Sequence, residues 1–363
     1  MTAKANGRAP FWLRLARMVL LVLGWLVVSG LALWCVVALS LDVQVSWLRY
    51  PAAAAYAALF VAILFVVKRP WLRLARCLVC SLAVMMWWLS LKPSSKRNWQ
   101  NDVSQTAWAE VHSSQVVIHN VRNCEYRAEL DYTCRWETRS YDLTQLRGTD
   151  GYIVFWGSPW IAHTMVSFQF GDDDHVAFSI ETRKTVGQNY SALLGFFRQY
   201  ELTYIVADER DVVRLRTNYR EGEHGLGEDV YLYRLRWDTV RARARFLEYV
   251  DRVNELHAQP EWYNALTRNC TTSIFEQREN SPGAAIQLSQ WNWQVLANGK
   301  LDKLIYDRGA FVGDLPFEEL KKRAYINPVA RTVMDIEDPG FSRRIREGHP
   351  GFEGIPAAGA HVQ

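Results

Sequence analysis

Acidic residues are almost missing from the first 91 positions, where Asp42 stands alone against nine Lys or Arg. That stretch carries +8, although all 363 residues together carry only +4, so residues 92–363 carry −4. A slightly acidic main domain removes the electrostatic support for nucleic-acid binding. Cysteine is scarce, with six in the chain, which excludes a small disulfide scaffold. There is no HExxH, and the only CxxC spacing, Cys77 and Cys80, falls inside an apolar run. Neither a metal nor a cofactor is therefore expected. GEHGLG (222–227) follows no strand–helix unit, which argues against a phosphate loop, and no internal repeat is present.

What the first 91 residues do have is uncharged length. Residues 18–40 form an uninterrupted run of 23, residues 50–67 one of 18, and residues 77–91 one of 15. A membrane-spanning helix needs roughly 20 apolar residues. The third run reaches that length if Arg73 and Arg76 snorkel at its start, which places its helix at about 74–91. A cleaved signal peptide fits poorly, because the first run is too long and two more follow. Residues 1–92 thus read as an anchor of three transmembrane helices, about 18–40, 50–67 and 74–91. The segment before the first run and loop 68–76 each hold four basic residues and no acid. The positive-inside rule puts both in the cytoplasm and residues 93–363 outside. In a bacterium this is a multi-pass inner-membrane protein with a periplasmic main domain. No charge sits deep in any span, so transport has little support.

The exported part reads as α+β with an antiparallel sheet over 93–340, followed by a disordered tail at 341–363. Segments 151–157, 163–170, 176–182, 203–207, 211–217 and 229–235 read as strands. SALLGFFRQY (191–200) reads as a helix. Asp238 is placed to cap a helix to about His257, with Val240, Ala244, Leu247, Val250 and Val253 on one face. Asn269 is placed to cap another.

Three cysteines lie in this domain. Cys124 and Cys134 are ten apart in a hairpin pattern and are expected to pair in an oxidising compartment. That leaves Cys270 unpaired. In ThrArgAsnCysThrThr (267–272) it occupies the first turn of an expected helix, where thiol pKa values fall and the thiolate is the nucleophile. A Cys at a helix start also occurs by chance as a buried inert thiol, so a base must be found. His163 opens the cleanest strand, HTMVSFQF. Pairing that strand with VAFSIE around GDDD, apolar face to apolar face, forces opposed residue numbers to an even sum. A sum of 344 sets His163 across from Glu181 and Met165 across from Ser179; a sum of 346 also keeps parity. Glu181 would then orient the imidazole, as a triad acid does. Arg183 and Arg210, from a charged cluster that also holds Glu201, Glu209, Asp211 and Arg216, are candidates to position an anionic or carbonyl group near the thiol. Ion pairs tying sheet to helix are the plainer account of that cluster.

The stretches VVIHNVRN, HTMVSFQF, SIETR, FFRQYELTY, DERDVVRLRT and WYNALTRNCTT resemble, in order and spacing, the Lnb N-terminal periplasmic domain over about residues 98–285. His before Cys, with Asn-Cys opening a helix, is similar to circularly permuted papain-like enzymes of the NlpC superfamily, including the lecithin:retinol acyltransferase group. The resemblance implies a permuted papain-like domain with thioester chemistry. In the Lnb branch the implied reaction is acyl transfer from a phospholipid to the N-terminus of a lipoprotein. It makes His163 the base, Cys270 the nucleophile and Asn269 part of the Asn-Cys motif. Other permuted members place different polar residues at the position of Glu181.

The expectation is a membrane-anchored, periplasmic, cysteine-dependent acyltransferase or acylhydrolase. Its partners would be membrane lipids, with lipoproteins or cell-wall peptides as further substrates and no nucleic acid. A cell-wall peptidase with the same Cys-His pair, and a non-catalytic envelope binding or assembly module, are the alternatives.

Overall fold

The computed structural model describes residues 10–156, 158–171, 173–222, 225–268, 298–333, 338 and 340–352. The chain divides into two compact units, Met1–Lys92 with Phe197–Gln199, and Pro93–Phe196 with Tyr200–Gln363.

The first unit holds helices α1 (Phe11–Asp42), α2 (Arg49–Val66) and α3 (Pro70–Ser90). All three are long and apolar enough to cross a membrane. α3 starts earlier than its apolar run because Pro70 occupies the first turn, where its missing N–H costs nothing. Arg73 and Arg76 therefore belong to the helix. Polar side chains in the spans are satisfied within the bundle, as hydrocarbon requires. The Ser81 hydroxyl donates to the Cys77 carbonyl at 3.0 Å and shares a 2.7 Å bond with the Tyr56 hydroxyl. Cys77 and Cys80 are free thiols despite their spacing. Asp42, the lone acid, accepts from the Trp88 indole at 2.7 Å and from the Gln199 amide at 2.6 Å. Phe197 stacks on Trp34, and the Arg198 guanidinium lies 4.0 Å over the Trp88 ring.

The second unit is α+β. Its eight-stranded sheet comprises β1 (Trp108–His112), β2 (Gln115–Ala128), β3 (Asp131–Asp142), β4 (Leu146–Phe155), β5 (Ala162–Phe170), β6 (Asp174–Arg183), β7 (Glu201–Ala207) and β8 (Asp229–Arg234). The order is β1-β2-β7-β6-β5-β4-β8, with β3 also on β2. The sheet is mixed rather than wholly antiparallel. β7 runs parallel to β2, meeting it at Arg122 and Ala207, because the chain returns to β2 only after threading β3 to β6.

Both faces of the sheet centre are buried, so every residue of β5 is. On one face, Val166, Phe168, Phe178 and Ile180 pack against Phe246, Tyr249, Val250 and Val253 of α5 (Thr239–Ala258). Asp238 caps α5, accepting from the Arg241 N–H at 2.7 Å. The buried stripe begins at Ala242, and Val240, expected on that face, is 78% exposed. The other face, which carries His163, is covered by α4 (Glu209–Arg214) and by the C-terminal part of the chain. Of that part, α6 (Leu301–Asp307) and α7 (Phe317–Ala324) pack with Ile153, Tyr233 and Leu235 in a separate cluster, while α8 (Asn327–Thr332) and α9 (Phe341–Arg344) pack on the His163 face. Phe341 and Ile345 are fully buried there. Residues 341–352 are thus packed chain and not a disordered tail; residues 353–363 lie outside the described residues.

Two local expectations are corrected. The sequence DVVRLRT is not a strand: it forms α4 and a wide helical turn, Leu215–Tyr219. Asp208 caps that helix by accepting from the Arg210 N–H at 3.0 Å, and full burial suits its β-branched Val212 and Val213. The segment SALLGFFRQY is not a helix beyond one turn at Leu194–Phe196. Its backbone is captured by tertiary partners. The Ser191 N–H donates to the Tyr200 hydroxyl, and the Gly195 carbonyl accepts from Ala265.

Cys124 and Cys134 oppose each other in the β2–β3 ladder and form a disulfide. The loop they close is short, so the expected contribution is about 2–3 kcal/mol. Cys124→Ala with Cys134→Ala should lower the melting temperature of the full-length protein by about 5 °C. Thermal scans with and without reductant check this: reductant should lower the wild type and leave the double variant unmoved.

Candidate active site

β5 and β6 pair with Met165 opposite Ser179 and Ser167 opposite Ala177, which is the register with a sum of 344. The ladder stops at Met165, and its continuation brings His163 and Glu181 together through Ser179. His163 is 7% exposed, held where β5 begins between the ends of β4 and β6. Its Nε2 lies 2.9 Å from the Ser179 hydroxyl and 3.4 Å from Glu181 Oε1. Ser179 donates to Glu181 Oε1 at 2.7 Å. Arg216, from the wide turn after α4, donates to the same oxygen at 2.6 Å and to Glu228 at 2.7 Å.

This geometry assigns the protons. Glu181 bound by a guanidinium is ionised and can only accept. The Ser179 hydroxyl therefore spends its proton on Glu181 and accepts from His163. Nε2 of the imidazole carries the hydrogen, which leaves Nδ1 as the acceptor nitrogen. Burial pushes the His163 pKa down to about 3, Arg216 adds to this, and Glu181 opposes it. Burial works against the charge on Glu181, but a protonated His163 and Arg216 outweigh it and hold its carboxyl well below the usual range. The ring is neutral at neutral pH, which is the state a general base needs.

Cys270 and Asn269 lie outside the described residues. Both described ends of the chain that flank them sit at the His163 end of the sheet. On one side, Tyr263 N–H donates to the Tyr200 carbonyl beside the start of β7, and Asn264 pairs with Arg268, two residues before Cys270. On the other, Gly299 N–H donates to the Trp160 carbonyl, three residues before His163.

Among the described contacts, Arg183 and Arg210 are not partners of His163, Ser179 or Glu181. Arg183 is buried, donates to the Val103 and Ser104 carbonyls and lies 4.3 Å over the Trp99 ring. It fixes the entry of the chain into the sheet. Arg210 pairs with Asp208 at the start of α4. Others of that charged cluster are likewise structural: Asp211 takes two bonds from Arg122 and one from the Cys124 N–H. The guanidinium that does reach Glu181 is that of Arg216, a member of the charged cluster whose placement was obscured by the strand-like alternation of DVVRLRT. A small opening beside Glu181 is lined by Arg122, Lys184, Arg216 and Arg220, among others. Carboxylates match the three arginines: Asp211 for Arg122, Glu181 and Glu228 for Arg216, and Glu228 near Arg220.

No curated protein and no solved structure matches the chain. Residues 132–299 match the family model of the Lnb N-terminal periplasmic domain. That span takes in His163, Ser179, Glu181 and Arg216 as well as Asn269 and Cys270, so this part of the chain is what matches the Lnb N-terminal periplasmic domain.

Proposed function

We propose that the protein is a membrane-anchored thiol acyltransferase or acylhydrolase, with its N-terminus in the cytoplasm and its sheet domain in the periplasm. The observation that carries the reading is the buried chain His163–Ser179–Glu181–Arg216, at the end of the sheet where the described residues on either side of the Cys270 stretch make their contacts. In this reading Nδ1 of His163 takes the proton of Cys270. The thiolate attacks the carbonyl of a lipid ester, and the ester C–O bond breaks as His163 returns the proton to the leaving alcohol. An amine or water, giving up a proton to His163, then attacks the thioester, its C–S bond breaks, and the thiolate is restored beside the imidazolium. Glu181 acts through Ser179 to hold the tautomer and to favour the imidazolium as it forms. Asn269 belongs to the nucleophile motif. An acyl donor in the bilayer suits a catalyst tied to the membrane.

The test is the intact mass of the full-length protein in detergent after incubation with phospholipid. One acyl adduct is expected, removed by neutral hydroxylamine and absent in Cys270→Ala. Cleavage of muropeptides without an adduct would instead make the protein a peptidase. An unreactive thiol, together with full cellular function of Cys270→Ser, would make it a binding module.

A further inference from the structure

The sheet domain keeps most of its large apolar side chains inside, and the exceptions are not scattered. Ten large hydrophobic side chains of this domain are exposed among the described residues, and seven fall on three loops at the His163 end of the sheet. Trp160 and Ile161 are 58% and 44% exposed on the loop before β5. Val186, Leu193 and Phe196 are 62%, 69% and 43% exposed between β6 and β7, and Leu266 is 45% exposed after α5. The loops touch one another. Trp156 packs edge-on against Tyr190, which is itself exposed, and Tyr190 against Tyr263, while the Ala265 N–H donates to the Gly195 carbonyl. Isolated exposed apolar residues need no explanation, but a contiguous fringe on one end marks an interaction surface.

Two features of the chain say what covers it. The polypeptide enters the sheet domain at this same end, where the Ser94 N–H donates to Glu201 at 2.7 Å and Asn98 accepts from Val186. Three residues separate Ser94 from Ser90, the last residue of α3, a span of roughly 14 Å at most. Phe196 runs without a spacer into Phe197–Gln199, which belong to the unit of the three apolar helices. The covalent link alone thus ties this fringe by a few residues to a helix of membrane-spanning length, which brings the headgroup layer within its reach. Trp160 and Tyr190 are the residue types enriched there.

We infer that this fringe is a lipid-contact platform: the loops bearing Trp160, Leu193, Phe196 and Leu266 dip into the outer leaflet and hold the His163 end of the sheet against a phospholipid surface. The inference rests on the membrane anchor and not on the thiol chemistry. The experiment is site-directed photocrosslinking of the full-length protein in phosphatidylethanolamine–phosphatidylglycerol liposomes. A benzophenone amino acid is placed at Leu193, Leu266, Leu130 or Val240, one per variant, in wild-type and Cys270→Ala backgrounds. Lipid adducts are expected at Leu193 and Leu266 in both backgrounds, at least ten-fold above those at Leu130 and Val240, which are exposed elsewhere. Equal adducts at all four positions would overturn it. So would crosslinks from the fringe to protein alone, or no lipid adduct there while a benzophenone at Leu26 in α1 labels lipid. Loss of the Cys270 acyl adduct in the mass experiment, with fringe labelling intact, would sink the enzyme reading and leave the platform standing.

Discussion

Arg346→Ala should lower the apparent melting temperature of the full-length protein by about 10 °C, the largest stability effect of any single side chain considered. The Arg346 side chain is completely buried. It donates to Asp150 at 2.7 and 3.0 Å, to Glu209 at 2.7 and 2.8 Å and to the Ser342 carbonyl at 2.6 Å. Tyr152 donates to Glu209, and Arg234 approaches Asp150 at 3.0 Å. Removing the cation leaves two carboxylates in the core with too little positive charge, which costs about 3–5 kcal/mol. In a domain of this size each kcal/mol moves the midpoint by roughly 2–4 °C. Arg343→Ala is the control, since its pair with Asp173 is 3.6 Å long and half exposed, and such pairs contribute about 1 kcal/mol at most. The pH dependence carries the sharper test. Burial alone would raise the Glu209 pKa, but Arg346 holds it well below the ordinary value in the wild type. Its contribution is therefore present above the unfolded carboxylate pKa and is lost only as pH falls through the depressed folded value. In the variant the Glu209 carboxylate loses that cation, burial then raises its pKa, and it takes a proton more readily than in the unfolded chain. The gap between the two proteins should narrow between pH 7 and pH 5 in scans at a fixed rate. A gap that stays constant, or an Arg346→Ala shift no larger than that of Arg343→Ala, would show that the C-terminal chain is not clamped through this arginine.

What could be read from the chain depended on whether the information was local. Face parity over a hairpin narrows the β5–β6 register to sums of 344 and 346, and the one adopted is 344, with Met165 opposite Ser179. The Cys124–Cys134 pair and the Asp238 cap are equally local. Arg216 was not legible, because its segment alternates like a strand and becomes helical only through the Asp208 cap and burial on both sides. The packed end of the chain was not legible either. Its partner Asp150 lies 196 positions away, and nothing near Arg346 hints at a buried carboxylate. Arg183 was a candidate as one of a charged cluster able to position an anionic or carbonyl group. Its guanidinium is committed instead to the carbonyls of Val103 and Ser104.

The rate at which Cys270 takes up an acyl group should have its acid limb well below the ordinary histidine value of about 6.5. Burial first, and Arg216 second, hold His163 at about 3, against the opposing pull of Glu181. The base is thus already deprotonated at pH 5, and the rate should hold from neutrality to there. His163→Ala should cost about 10²–10⁴-fold at every pH in that range. Arg216→Gln removes a nearby positive charge and leaves Glu181 to favour the imidazolium, so the acid limb should move up toward neutrality. Arg216→Lys keeps the charge and should keep the limb low, which separates electrostatics from damage to the fold. Glu181→Gln removes the one group that raises the His163 pKa, so its limb stays low while the rate falls because the ring is less well held. A purely structural role for these residues would lower rates without moving the limb. The measurement is the initial rate of adduct formation by intact mass between pH 4.5 and 8, with a thermal scan of each variant. An acid limb near 6.5 in the wild type, or the same limb in the wild type and Arg216→Gln, would mean that His163 is not the base that this buried network keeps neutral.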